Sequence, residues 1–524
     1  IRNMGLTHAR MGDPEKARSL LQEALKLSQS IGNRYNELQT ILALAEVEEQ
    51  MGTDQAEFSW KIAAHLARNM NLPESLWRSL FGMGRVTQDK SKAELYYEGA
   101  ILVVESLGGS QGQASTKHSR ESLYHQALEL AYKDRDESRI FDLSERQKLR
   151  SLRDKVPAQD TADLRQRNLR KAREIYQEKV FAKIFDKPDE SLNAAQMAYQ
   201  NARVDFSQQR KGIISQAVPA PIELDALQKV LPDNIGVLIV NTGYPEVRVQ
   251  FIHREGVRTT STLMSHQQIQ EGLAELIGAM QNFGPSDASL EALSAGLLRG
   301  AQDWVSPDKH LIFVLPEDYT QLPVAALQLR SEPLIQNVTV STNPSATLLF
   351  QTLQRQRVPT PQRIIGIAPA QDLPFSKLEL AQIQNTQIPA EGIFSAPLEA
   401  LHLAGHVRNT NRASFELSNQ DEITSWDVLN AEYIPSMVTL SACEGLQKKS
   451  FLSLADAFML RGSQTVVAHA HRVSDLAAAI FMKHFYRNLK KGKAKALQAA
   501  ALQTREYFPH PAHWAGFQLI GDFR

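Results

Sequence analysis

The 524-residue sequence predicts a helical repeat region followed by an α/β domain whose sheet is mostly parallel. Three observations carry this. Met11-Gly12-Asp13 recurs as Met51-Gly52-Thr53-Asp54, so an early segment repeats itself. Near residue 222 the pattern changes from helical to strand-like. Beyond it, short apolar runs alternate with helical stretches, the pattern of parallel strands covered by helices. A chain of this length exceeds one hydrophobic core. Its 58 basic and 58 acidic residues cancel, which excludes a surface built throughout for nucleic acid or membrane. The single cysteine excludes an intrachain disulfide and fits a reducing, cytoplasmic setting. No apolar run is long enough to span a bilayer. Ile1-Arg2-Asn3 is neither a signal peptide nor a natural start, so the chain is expected to begin inside a longer protein.

Residues 1–136 read as helical repeats. Gly12 and Gly52 would end helices, and the following Asp would cap the next ones. Ala24-Leu25, Ala63-Ala64 and Ala100-Ile101 place small residues where helices approach closely. The period and the helix–turn–helix pattern resemble tetratricopeptide repeats. Residues 137–221 form a linking region. Its first part, 137–156, is a charged helix centred on Ser144-Glu145-Arg146-Gln147-Lys148-Leu149-Arg150. Residues 161–185 and 190–211 then form a helical hairpin turning at Lys187-Pro188-Asp189, because proline cannot continue a helix. Leu164, Leu169, Ile175, Val180 and Ile184 approximate its apolar face. The Arg and Lys excess of this region reads as a solvated face.

From residue 222 the sequence divides into two α/β halves, 222–360 and 361–524. Strands are expected at Gly236 to Val240, Val247 to His253 and Val257 to Leu263, with a hairpin at Gly256. Others are expected at Leu311 to Leu315, Arg363 to Ala368, Ala400 to Ala404, Met437 to Leu440 and Thr465 to Ala468. Sites in such sheets lie at the carboxyl ends of strands. Two runs end there in reactive side chains: Ala400 to Ala404 leads to His406, and Met437 to Ala442 leads to Cys443. Imidazole is the usual base that turns a thiol into a thiolate nucleophile. The residues alone leave open the alternative of a buried structural thiol.

Six further segments, in order, are similar to one family. They are Phe141-Asp142-Leu143-Ser144-Glu145-Arg146; Leu311 to Pro316 with Leu322-Pro323-Val324-Ala325-Ala326-Leu327; Ser341-Thr342-Asn343-Pro344-Ser345-Ala346; His402-Leu403-Ala404-Gly405-His406-Val407; Leu440-Ser441-Ala442-Cys443-Glu444-Gly445; and Pro511 to Asp522. Together they resemble the CHAT domain, a caspase-like module associated with tetratricopeptide repeats, over residues 137–524. The resemblance implies a caspase-like fold and a cysteine endopeptidase with His406 as base and Cys443 as nucleophile. The backbone N–H groups of Val407 and Cys443 would form the oxyanion hole. His402 and Glu444 are supporting residues, His402 by orienting the strand end. Valine at 407 departs from the family's glycine, and no threonine separates Glu444 from Gly445.

Val466 to Asp475 resembles the family segment that ends in a pocket aspartate, with His471 in place of tryptophan. Asp475 in that pocket would select a basic residue before the cut; its other reading is a cap of the helix starting near Leu476. His469 and His471 alternate along a strand, but no matching ligand spacing accompanies them, so packing is expected rather than metal. Arg487, Lys490, Lys491, Lys493 and Lys495 read as solvated surface. No Walker loop or dinucleotide fingerprint occurs, and no cofactor is expected.

The layout implies gating. A protein or ribonucleoprotein partner bound by the repeats would shift the site from a misaligned to an aligned state. Family relatives serve bacterial antiviral defence, one group with the type III-E CRISPR effector and its guide RNA, another by cleaving gasdermins. The layout fits the first better, with little direct contact to nucleic acid and none to membrane. A non-catalytic adaptor with a caspase-like fold is the rival class.

Overall fold

The computed structural model describes the chain except residues 108–113, 155–163, 186–190, 208–218, 244, 358, 369–373, 382, 384–392, 410–412, 418–421 and 444–452. For residues 114–119, 164–165, 207, 408–409 and 442–443 it describes the backbone alone. The expected turn at Lys187-Pro188-Asp189 and the whole of Glu444 therefore lie outside the described residues. The chain forms two units, residues 1–134 with 156–206, and residues 135–155 with 207–524. The linking region expected at 137–221 is thus divided between them, and the two α/β halves share one unit.

In the first unit, helices Arg2–Arg10, Pro14–Ser30, Arg34–Gln50, Gln55–Asn69, Pro73–Val86, Lys90–Ser106 and Ala114–Asp134 each pack on the next. Gly12, Gly32 and Gly52 end helices with φ of 79°, 67° and 65°, a left-handed conformation that costs glycine little. The forty-residue recurrence is therefore two helices long. Asp13 accepts from the Lys16 N–H at 3.2 Å and caps as expected. Asn33 caps the intervening helix from the Asn36 N–H at 3.0 Å, whereas Asp54 makes no side-chain cap. Ala63, Ala64 and Ala100 are fully buried, as close helix approach requires. The hairpin helices are Leu164–Ile184 and Leu192–Ser207. Val180 and Ile184 are buried, but Ile175 is exposed and Tyr176 takes its place. Steps of four from Tyr176 reach Val180 and Ile184, so these three share a face.

The second unit is built on one large sheet. Its strands are β1 (Ile235–Asn241), β2 (Arg248–His253), β3 (Gly256–Ser261), β4 (His310–Val314), β7 (Thr339–Thr342), β8 (Ile364–Ile367), β9 (Ala400–Asn409), β10 (Ala413–Glu416), β11 (Glu422–Thr424), β12 (Met437–Cys443), β13 (Thr465–His469) and β14 (Phe517–Gly521); β5 (Gln328–Leu329) and β6 (Glu332–Pro333) make a separate small hairpin. The order across the sheet is β11-β10-β9-β12-β13-β14-β7-β4-β1-β2-β3, with β8 also on β9. The β1–β4–β7–β14 pairs are parallel, as are β8–β9–β12–β13. β14 runs antiparallel to β13. The two parallel halves therefore point their carboxyl ends to opposite edges. The fold class is the expected one: helical repeats, then an α/β unit with a mostly parallel sheet.

Side-chain alternation sorts the second half's core. Leu401, Leu403, Val438, Leu440, Val466 and Ala468 face helices Ser425–Asn430 and Leu454–Arg461 through Val428, Leu454 and Phe458. The opposite phase, with Ala400, Met437 and Val467, joins Phe481, Met482 and Phe485 of helix Asp475–Asn488.

Helix Glu137–Asp154 overturns the solvated-face expectation for its stretch. Ser144, Glu145, Arg146 and Arg150 are all buried. The Glu145 carboxylate accepts from the Ala346 N–H at 3.0 Å, the Thr347 N–H at 2.7 Å and the Thr347 hydroxyl at 2.8 Å. Ser345 accepts from the Leu348 N–H at 3.1 Å. The free donors that open helix Ala346–Gln354 are thus satisfied from 201 residues away in sequence. Lys148 donates to Val240 O at 3.0 Å and Asn241 Oδ1 at 3.1 Å at the end of β1. Burial pushes its ammonium down to about 8. Charge on this helix serves polar groups inside the fold. Among the expected surface cations, Lys493 is likewise buried and lies 3.5 Å from the fully buried Asp522.

Candidate active site

β9 and β12 are parallel neighbours with Ala400 opposite Met437 and, six residues on, His406 opposite Cys443. In-register residues of adjacent strands lie about 4.8 Å apart and share a face. Cys443 is the last residue of β12, as expected. His406 lies within β9, because β9 continues three residues further to pair with β10, Val407 opposite Phe415. The hairpin of β9 and β10 thus extends the strand past the histidine. His406 and Val407 are partly exposed. The register brings His406, Val407 and Cys443 together at one carboxyl edge.

His402 belongs to the same phase, four residues lower on β9, and is fully buried. Its Nε2 lies 3.0 Å from Glu379 Oε2, itself nearly inaccessible. Its Nδ1 lies 2.6 Å from the Tyr486 hydroxyl, which donates to Thr439 Oγ1 at 3.1 Å. Thr439 is the residue opposite His402 in β12. Gly366 of β8 stands opposite His402 on the other side. A Cβ there would fall 2.4 Å from Leu380 Cδ2, so glycine lets the segment bearing Glu379 settle on the strands. Burial raises the Tyr486 phenol.

Asp475 is the first residue of its helix and leaves the N-cap position to Ser474, which makes no side-chain cap. Its carboxylate accepts from the Phe375 N–H at 2.8 Å. Asp475 therefore ties the segment before helix Ser376–Leu380 to helix Asp475–Asn488; the cap at Leu476 is not the bond it makes.

His469 ends β13 and is fully buried, with Gly516 leaving the space its ring fills. His471 is almost as buried. No cluster able to hold a metal ion occurs among the described residues. Burial pushes His469 down to about 3 and His471 to about 4; His310, in the sheet's other half, is also held at about 3 by burial. Folded-state values below the ordinary histidine value mean that the unfolded chain binds the extra protons between pH 6.5 and about 3–4. Stability is therefore present above that window and lost as pH falls through it, by about 1.4 kcal/mol per pH unit for each such histidine. Urea titration is expected to show a lower midpoint at pH 5.5 than at pH 7.5, and His310→Asn should reduce the difference.

Sequence reasoning missed Glu379, Tyr486 and Thr439. Thr439 had a signal, sharing the phase of Cys443; the other two arrive from separate helices. No helix among the described residues is long and apolar enough to cross a membrane.

Residues 1–58 match the tetratricopeptide repeat model and residues 287–522 the CHAT domain model. Tetratricopeptide repeat protein 28 of Homo sapiens is 33% identical over 108 residues, 19% of this chain and 4% of that protein. Its Mus musculus counterpart is 32% identical over 108 residues, with the same shares. The chain thus aligns with a small part of those relatives. Two crystal structures of the Saccharomyces cerevisiae separase–securin complex overlay 99% of the chain on 52% and 53% of theirs, with TM-scores of 0.44 and 0.43 and identities of 9% and 10%. With a tetratricopeptide repeat match at its N-terminal end and a CHAT domain over residues 287–522, the chain matches the layout of the TPR–CHAT family.

Proposed function

We propose that the chain is a cysteine endopeptidase in which His406 activates Cys443 against a protein substrate. The observation that carries this is the register of β9 and β12, which sets the two residues opposite each other at a carboxyl edge within a CHAT domain. Imidazole beside a thiol favours thiolate, and thiolate attack on a carbonyl gives an acyl-enzyme that water resolves. The Cys443 N–H, with that of Val407, is our candidate donor pair for the oxyanion. Tetratricopeptide repeats fit a protein partner, and we assign activation to such a partner. A ribonucleoprotein effector of the type III-E CRISPR kind, acting in antiviral defence in the cytoplasm, is our reading of that partner from the family layout.

The test uses the lone cysteine. Iodoacetamide blocks one residue in this chain, so blocked and unblocked protein differ at Cys443 alone among thiols. Both are added, with and without candidate partners, to a proteome whose new N termini are then labelled. The reading expects termini made by the unblocked protein only, and more of them with partner. Identical sets in all samples would overturn it.

A further inference from the structure

The phenol of Tyr486 is bonded to both strands of the proposed dyad. It meets His402 of β9 at 2.6 Å and Thr439 of β12 at 3.1 Å. It is anchored from behind, because His402 turns its other nitrogen to the buried Glu379 carboxylate at 3.0 Å. Between this row and the dyad stand Ala404 and Ser441. Ala404 has no polar group, and the buried Ser441 hydroxyl has no partner among the described residues. Neither residue of that intervening pair adds a polar side-chain bond to the one at Tyr486 among the described residues. Backbone ladders fix register, but they leave adjacent strands free to twist and shear by small amounts. Four residues above the brace, about 13 Å along the strand, such motion displaces His406 against Cys443.

We infer that Tyr486 is a positioning residue for the dyad: its hydroxyl, bridging His402 and Thr439, holds β9 and β12 at the spacing that lets His406 meet the Cys443 thiol. This rests on the peptidase reading above. Glu379 acts through His402 by fixing the orientation of its ring. The cluster is buried and lies below the dyad, so it touches no substrate. Its effect is on alignment, where a displacement of about 1 Å can cost on the order of 100-fold in rate.

The test reads Cys443 without needing a substrate. The rate of alkylation by iodoacetamide is followed by intact mass across pH for the full chain. A free thiol reacts with an inflection near about pH 8.5; a thiol paired with imidazolium reacts at clearly lower pH. The wild type should show the lower inflection, because the register that sets His406 opposite Cys443 is present in the chain without a partner, and His406→Ala should restore the ordinary one. Tyr486→Phe and Thr439→Val should each move the inflection up and cut the rate at pH 6 by about 10-fold, while Thr439→Ser, which keeps the hydroxyl, should follow the wild type. A contribution to stability alone would lower the melting temperature and leave the pH profile in place. Folding is checked by circular dichroism, and Thr439→Val carries the comparison if Tyr486→Phe fails to fold. Wild-type profiles in both hydroxyl deletions, with His406→Ala shifted, overturn the brace and leave the dyad standing. An ordinary thiol profile in the wild type, unmoved by His406→Ala, overturns the dyad and the brace together.

Discussion

Cys443→Ala is expected to abolish cleavage, with a loss on the order of 10⁶-fold, the scale seen when a hydrolase loses its nucleophile. No second thiol exists to substitute for it. His406→Ala should cost less, about 10²- to 10⁴-fold, because a thiol keeps some thiolate near neutral pH without a base. The two losses should not add, since base and nucleophile act as one unit. Initial rates on a substrate identified by terminal labelling, for both single variants and the double variant, provide the check. A Cys443→Ala protein that cleaves like the wild type would place the chemistry elsewhere, and the adaptor reading would then replace the peptidase.

Glu145→Ala should destabilise the sheet unit by about 3–9 kcal/mol. The change strips two backbone N–H groups and one hydroxyl of their acceptor inside the protein, and each buried donor left unpaired costs about 1–3 kcal/mol. Glu145→Gln keeps one acceptor oxygen and should lose less than half as much. Urea unfolding followed by tryptophan emission measures this, Trp304 and Trp514 both lying in the sheet unit. A loss below about 1 kcal/mol would show that water replaces the carboxylate readily.

Much of the sheet was legible because its central strands are continuous apolar runs. β1, β4, β12 and β13 fall within a few residues of their expected positions. Strands Thr339–Thr342 and Phe517–Gly521 were not read as strands, the first overlapping the family segment Ser341 to Ala346 and the second lying within Pro511 to Asp522, since short runs carrying Thr, Ser and Gln show little apolar pattern. The reach of β9 past His406 depended on β10, a partner that local sequence does not reveal. The candidate pair, His406 and Cys443, was legible as motifs. Its support was not, because Glu379 and Tyr486 reach His402 from segments 23 and 84 residues away. Arg146 and Arg150 belong to an Arg and Lys excess read as solvated for the same reason: charge on a helix shows which residues are polar but not whether another element supplies a buried partner.

The place of β14 sets an order of events during synthesis. It stands between β7 and β13 and is later in sequence than every strand it joins. Chains emerge from the ribosome amino end first. Both halves, β9 and β12 among them, are therefore translated while a gap the width of one strand still separates them. Until residues 517–521 fill it, β7 and β13 carry unpaired edges. A ribosome stalled before Phe517 would hold His406 and Cys443 on an incomplete sheet, so assembly of the site waits on the strand that closes it.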